Sequence, residues 1–455
     1  MLIGKIPLTA TLPANPVGMP GSVYHLSKDP VVSAYNVKDF CTTGDGVTDV
    51  TSLVQTLIDS LGRLGGGTVF LPEGRYVFRG NLTIRKGITL RGEWSKPVKG
   101  QAIKGTILMV YAGRGSETAT PFITMETSAA VRDLAFWYPE QSPIGITPYP
   151  PAIQFGEPGY FGNEFCNAKN ITLVNAYSGV VFSRTTGGTC PVINGIYGTP
   201  LSRGVEIDNI SDVGRIENID FSPSYWSGSG LTNAPAAGSA FESWIYQNGT
   251  GVVMRRNDWS YLCYVNIEGY NRDEYVAPSI ASPGAVPNGH QYSMTFTNCK
   301  TAIYIQVVSS NGIMFSQVTT VGCDSGFVVG PNTSGAVQFH TCTINADVNA
   351  VVVAVHDAAV YLYKRRSQCF GRDLYRDRLR FQQCRPTGFS GCKCPRHHNG
   401  KSFQNSSANP EQVAMDLCDR PDPPPAAEAA GFSFYGSYCA SACTHGHVQC
   451  GCSPV

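Results

Sequence analysis

Hydrophobic residues recur along this chain with two different periods, and the switch between them comes early. Val50, Leu53, Val54, Leu57, Ile58, Leu61 and Leu64 fall at i, i+3, i+4, i+7, i+8, i+11 and i+14. That spacing is one stripe of an amphipathic α-helix. Thr48 and Asp49 stand at its start, where short polar side chains cap free backbone N–H groups, and Gly65-Gly66-Gly67 ends it. After Leu64 helical patterning almost vanishes, and short β-rich runs alternate with Gly, Asn, Ser and Asp turns up to about residue 365. The runs 88–90, 123–125, 131–138, 171–175, 179–183, 204–210 and 215–221 read as strands.

The late runs show a repeat. MTFTNC (294–299), IMFSQV (313–318), VQFHTC (337–342) and VYLYKR (360–365) are alike, and their central Phe296, Phe315, Phe339 and Leu362 are 19, 24 and 23 residues apart. Repeats of about 20–25 residues built from strands and turns predict a parallel β-helix with one coil per repeat. The four central residues are then expected to be core neighbours. The early helix would cover the open end of the stack, whose unpaired strand edges otherwise invite aggregation. The LxxLxL pattern of leucine-rich repeats is absent, and a propeller repeat of about 40 residues does not fit.

Composition agrees with a repeat array. The chain has 455 residues, 15% charged, with 49 glycines, a suitable stock for short strands and tight turns. A net charge of +1 makes no electrostatic case for nucleic acid or an acidic membrane. No apolar run reaches the roughly 18 residues of a membrane span. Residues 1–33 are Pro-rich, read as an extended arm, and lack the apolar core of a signal peptide. Seven of the 16 cysteines lie in residues 1–365 and nine in 366–455. The second density is that of a small secreted disulfide scaffold. It marks 366–455 either as a separate module or as the product of a shifted reading frame. Six N-x-S/T sequons, at Asn81, Asn170, Asn209, Asn248, Asn332 and Asn405, fit a secreted glycoprotein. The expected organisation is an arm (1–33), a β-helix (34–365) and a Cys-rich module (366–455), in an extracellular or cell-wall setting.

The segment NVKDF…TGDGVTD…GGGTVFLPEGRYVF resembles the opening of the pectate lyase superfamily, the glycosyl hydrolase family 28-related β-helix proteins. The blocks 136–141, 197–223 and 248–261 extend the resemblance over most of 34–365. Two positions depart from the pattern: Cys41 stands where glycine is usual, and Val50 where a second aspartate is usual. The tail blocks 369–374, 409–420, 431–439 and 447–453 resemble a WSC-type carbohydrate-binding module, with stretched spacing and the extra Cys384, Cys392 and Cys394. The resemblance implies an all-β, right-handed parallel β-helix with an N-terminal capping helix. It also implies a polysaccharide or oligosaccharide partner and either glycoside hydrolysis or lyase elimination. The Asn-Thr-Asp, Asp-Asp, Gly-His-Gly and Arg-Ile-Lys series of a family-28 polygalacturonase is not present.

Hydrolysis needs two carboxylates flanking the sugar bond, ~5–5.5 Å apart in retaining enzymes and ~6.5–9.5 Å in inverting ones. On a strand, Arg215 and Glu217 share one face and Asp220 takes the other. Glu217 and Glu242 are 25 residues apart, about one coil. The expected catalytic set is therefore Glu217, Glu242 and Asp258. Aromatic faces stack on sugar rings, which brings Trp226, Trp244 and Trp259 into the expected substrate-binding set with Arg215 and Arg256. The bland alternative has Trp244 and Trp259 packed under loops and Arg215–Glu217 as a surface ion pair. A glycosidase needs no metal or cofactor. A lyase acting on uronates would add calcium held by acidic oxygens, with Arg255, Arg256 and Asp258 nearby. A non-catalytic glycan-binding protein is the third possibility.

Overall fold

The computed structural model describes residues 34–40, 42–156, 163–182, 187–333, 335–353, 360–365, 376–380 and 413–415. They fall within one compact unit, Met1–Asp416. The expected arm and nearly all of the Cys-rich module lie outside them. Up to residue 365 strand follows strand in parallel register, each coil on the one before, giving the β-helix that the repeat predicts; the short strands Arg376–Arg380 and Val413–Met415 pair antiparallel.

One coil illustrates the construction. Val192–Gly198 bends at Gly195, so that 192–194 lies on a first face and 196–198 on a second; Arg203–Ile207 forms the third. Ile193, Ile216 and Leu262 are successive register partners on the first face, Ile196, Ile219 and Val265 on the second, and Val205 and Val252 on the third. All are buried and point inward, so the core is a set of apolar columns running along the stack.

The bend between first and second faces has a backbone signature. Asp133, Asn170, Gly195, Asn218, Tyr264, Ser293, Gln317 and Thr341 all have φ between +55° and +75°. A left-handed residue interrupts the period-2 alternation of the strand. This corrects the expected arrangement on 215–221. With Asn218 left-handed, Arg215, Glu217 and Asp220 all point outward, Arg215 and Glu217 on the first face and Asp220 on the second, while Ile216 and Ile219 are buried.

The capping helix α1 (Thr51–Arg63) buries Val54, Leu57, Ile58 and Leu61 against the first coils, each apolar side chain contributing roughly 1.5–3 kcal/mol. Asp49 Oδ1 accepts from the Thr51 N–H and hydroxyl, so Asp49 acts at the start as expected; Thr48 is instead held by Asp45. The late core stack is partly corrected. Phe315, Phe339 and Leu362 do follow one another in register, but Phe296 pairs with Thr320 on the second face. The partner of Phe315 in the preceding coil is Gln291. The 19-residue spacing had crossed from one face to the next.

Two short helices break the all-strand expectation. The corner between the second and third faces is tight in most coils, but residues 222–249 form an excursion containing α2 (Ser224–Ser227) and α3 (Ala240–Asn248). A second excursion, 93–105, crosses the second face. There Trp94 donates to Thr172 Oγ1 and packs near Tyr197, and Lys96 lies over the Tyr197 ring. Asp273 and Glu274 sit on a third-face strand, Arg272–Val276, and neither has any exposed surface. Glu274 occupies the column of Val252 and Ile303, inside the core.

Candidate active site

The two excursions meet on the outer side of the second face. Asp220 and Asn266 are register partners there, and Asn266 Nδ2 donates to Asp220 Oδ2 at 3.2 Å. Lys99, from the 93–105 excursion, lies 3.2 Å from Asp220 Oδ1 and 3.5 Å from Glu268 Oε2. Glu268 ends the strand Tyr261–Glu268, and its Oε2 accepts from the Ser222 hydroxyl at 3.0 Å. The Tyr225 hydroxyl, from α2, bonds Asp220, and burial with that carboxylate beside it raises its pKa.

Beside this group opens a cleft of about 430 Å³ lined by Ser222, Ser224, Glu242, Tyr246, Glu268 and Asn298, among others. Helix α3 supplies Glu242 and Tyr246 from one side, and the coil supplies Glu268 from the other. Glu242 Oε1 accepts the Gly238 N–H at 2.7 Å, which anchors the carboxylate at the first turn of α3. An acidic group is favoured at that end of a helix. Burial and a hydrogen bond to Asp324 raise the Tyr246 pKa, so its phenol keeps its proton at neutral pH. The cleft thus offers two carboxylates and one proton-bearing phenol within a single concavity, ringed by neutral hydrogen-bonding groups. Such a set can take up and deliver protons on a bound glycan.

The expected site residues separate. Glu242 lines the cleft. Glu217 lies on the first face, hydrogen-bonded by Asn194 Nδ2 at 3.0 Å, and its neighbour one coil on is Cys263. The 25-residue spacing to Glu242 does not make a coil, because 222–249 leaves the stack. Asp258 sits in the turn between third and first faces and accepts from Asn288 at 3.1 Å. Glu217, Glu242 and Asp258 therefore do not form one constellation.

The sugar-binding expectations divide in the same way. Trp226 has no exposed surface and packs edge-on to Phe241, so it is core of the excursion. Trp244 is partly buried beside Tyr177. The Arg256 guanidinium is bound by Ile210 O and Ser211 Oγ and acts as a clamp between turns. Arg215 and Trp259 are exposed on or beside the first face. Lys99 and Tyr246 had no sequence signal, since each is placed by a loop or helix whose docking only the fold reveals. Asp220 and Glu268 have no spacing in the sequence that sets them apart from the chain's other acidic residues.

Residues 34–137 match the family described as rhamnogalacturonase A/epimerase, pectate lyase-like. Over those residues the chain is similar to pectate lyase-like proteins, and its fold is a parallel β-helix. Alginate lyase 7 of Azotobacter vinelandii is 40% identical over 81 residues, 18% of this chain and 8% of that protein. Mannuronan C5-epimerase AlgE4 of the same organism is 43% identical over 65 residues, 13% of this chain and 12% of that protein. The chain thus spans only about a tenth of the length of these relatives. Among solved structures, the A-module of AlgE4 aligns over 74% of this β-helix protein and 100% of that chain at 13% identity, with a TM-score of 0.27. PfbA, a surface adhesin of Streptococcus pneumoniae, aligns over 71% and 92% at 13% identity, with a TM-score of 0.34. The family match contains Lys99, beside the cleft, but ends before every residue that lines it.

Proposed function

We propose that this β-helix protein is a polysaccharide-processing enzyme and that the Glu242–Glu268 cleft is its active site. The observation that carries the reading is the pair of carboxylates facing one concavity from two independently anchored elements. In hydrolysis, one carboxyl protonates the leaving glycosidic oxygen. The other activates a water or attacks the anomeric carbon. Lys99 and Ser222 orient Glu268, and Tyr246 and Asn298 hold sugar hydroxyls.

A second reading is supported by the names of the relatives, an alginate lyase and mannuronan C5-epimerases. In that chemistry a base removes the proton next to a uronate carboxylate. Elimination then breaks the bond to the neighbouring glycosidic oxygen, which takes a proton from Tyr246; epimerisation instead returns a proton to the same carbon from the opposite side. Glu268 would be the base, with the Lys99 ammonium close enough to favour negative charge on the substrate. An extracellular setting accompanies either reading. The two are separated by incubating the protein with neutral and uronate-containing polysaccharides and following both reducing ends and the ultraviolet absorbance of unsaturated uronates. Reducing ends without that absorbance support hydrolysis, whereas absorbance rising in step with chain cleavage supports elimination. No change in any substrate, including no change in uronate configuration, counts against both.

A further inference from the structure

The first face carries an aromatic group that neither the core nor the cleft uses. Tyr264 is 55% exposed, Trp259 51% and Tyr261 40%, all within six residues of chain. One coil further on, Tyr292 lies 6.0 Å from the Tyr264 ring, nearly perpendicular to it, and 5.2 Å from the His290 ring. His290 is in register with Tyr261, so the rings form a patch two coils deep on one flat face. Tyr292 is tethered by a hydrogen bond with the Cys263 thiol.

The backbone makes the exposure more telling. Tyr264 occupies the left-handed bend at φ +57°. The same bend in other coils is held by Asp133, Asn170, Gly195, Asn218, Ser293, Gln317 and Thr341, all small or polar. Asn, Asp and Gly tolerate this conformation, and for a bulky residue it is an outlier. Trp259 is also left-handed, at φ +53°. Two large rings are therefore held in a conformation they disfavour, in a position where they bury little. Neither helix nor core packing is served, and strain of this kind collects at ligand-binding surfaces.

Charge and spacing indicate the occupant. Arg215 is the register partner of Tyr261, and Lys169 lies on the same face two coils before Glu217. Both cations are exposed, and among the described residues neither has an ion-pair partner. Coils repeat every ~4.8 Å along the stack, close to the advance of one sugar unit in an extended chain. We propose that the first face is a second, non-catalytic binding site for an acidic polysaccharide. Sugar rings stack on Tyr261, Tyr264 and Tyr292, with Trp259 at the rim, and carboxylates of the chain meet Arg215 and Lys169. The site stands whether or not the cleft has the activity proposed for it.

The test is native affinity electrophoresis of the full chain in gels containing alginate, with neutral laminarin as the comparison. Wild type should be retarded by alginate and much less by laminarin. Tyr264→Asn installs the residue that Asn170 and Asn218 supply at this bend, so the fold should be kept or slightly stabilised while alginate affinity falls about tenfold. Arg215→Ser should weaken alginate binding and its salt dependence together. The proposal is overturned if wild type migrates unretarded in alginate, if laminarin retards it equally, or if Tyr264→Asn and Arg215→Ser keep full affinity.

Discussion

Glu274 offers a prediction whose size follows from its place in the fold. Its carboxyl stands in an inward column between Val252 and Ile303 with no exposed surface. Neither oxygen has a well-aligned hydrogen-bond partner among the described residues. Burial pushes its pKa from the ordinary 4.5 up to about 8, and Gln291 across the core offsets this only in part. The folded state thus holds a proton that the unfolded chain releases. Stability is greatest below pH 4.5, falls by about 1.4 kcal/mol per pH unit as pH rises, and levels off above about 8. The accumulated loss is about 5 kcal/mol at the plateau and about 3 kcal/mol at pH 7.

Glu274→Gln keeps the shape and removes the titration. Its stability advantage over wild type, measured by urea unfolding with tryptophan fluorescence, should therefore grow by about 3 kcal/mol between pH 4 and pH 7. Burial raises the pKa of the adjacent Asp273 too, so wild type loses further stability over the same range, but that loss is common to both proteins. An advantage independent of pH, or a variant no more stable than wild type at pH 8, would refute the placement of a buried carboxyl in this core.

Other perturbations probe the corners and the cleft. Gly204→Ala should destabilise by about 1–3 kcal/mol or more in thermal melts, because a Cβ there would lie 2.2 Å from Phe221 and 2.5 Å from the Gly251 carbonyl. Trp226→Phe should leave KM for any polysaccharide unchanged while lowering the melting temperature, since the indole is core rather than a sugar platform. Lys99→Met should cost at most about 1 kcal/mol of stability. Turnover should nevertheless drop about tenfold as Glu268 loses one of its two anchors.

The architecture was legible in the sequence because burial in a coil stack is repetitive. The strands at 123–125 and 215–221 are matched to the residue by Ile123–Met125 and Arg215–Phe221. Of the helical stripe, Val50, Val54, Leu57, Ile58 and Leu61 are buried and Leu53 partly so, while Leu64, just past the helix end, is exposed. What failed was arithmetic along the chain. Counting 25 residues from Glu217 to Glu242 as one coil ignored 222–249, whose helix α3 has too few buried positions, Phe241 and Ile245, to announce itself by period. Alternation from Arg215 to Asp220 failed for a local reason, the left-handed Asn218, and Asn in a strand was the available hint. Lys99 could not have been found, because the chain passes through 93–105 long before the residues it meets at 220 and 268.

The central claim is that Glu242 and Glu268 act together in one cleft. The most direct measurement is product formation from a panel of neutral and uronate polysaccharides by wild type, Glu242→Gln and Glu268→Gln, with folding of each variant checked by thermal melt. Wild type should process at least one polysaccharide, and each variant, melting within a few degrees of it, should be slower by about 10²–10⁴-fold. Full activity in both variants would contradict the claim.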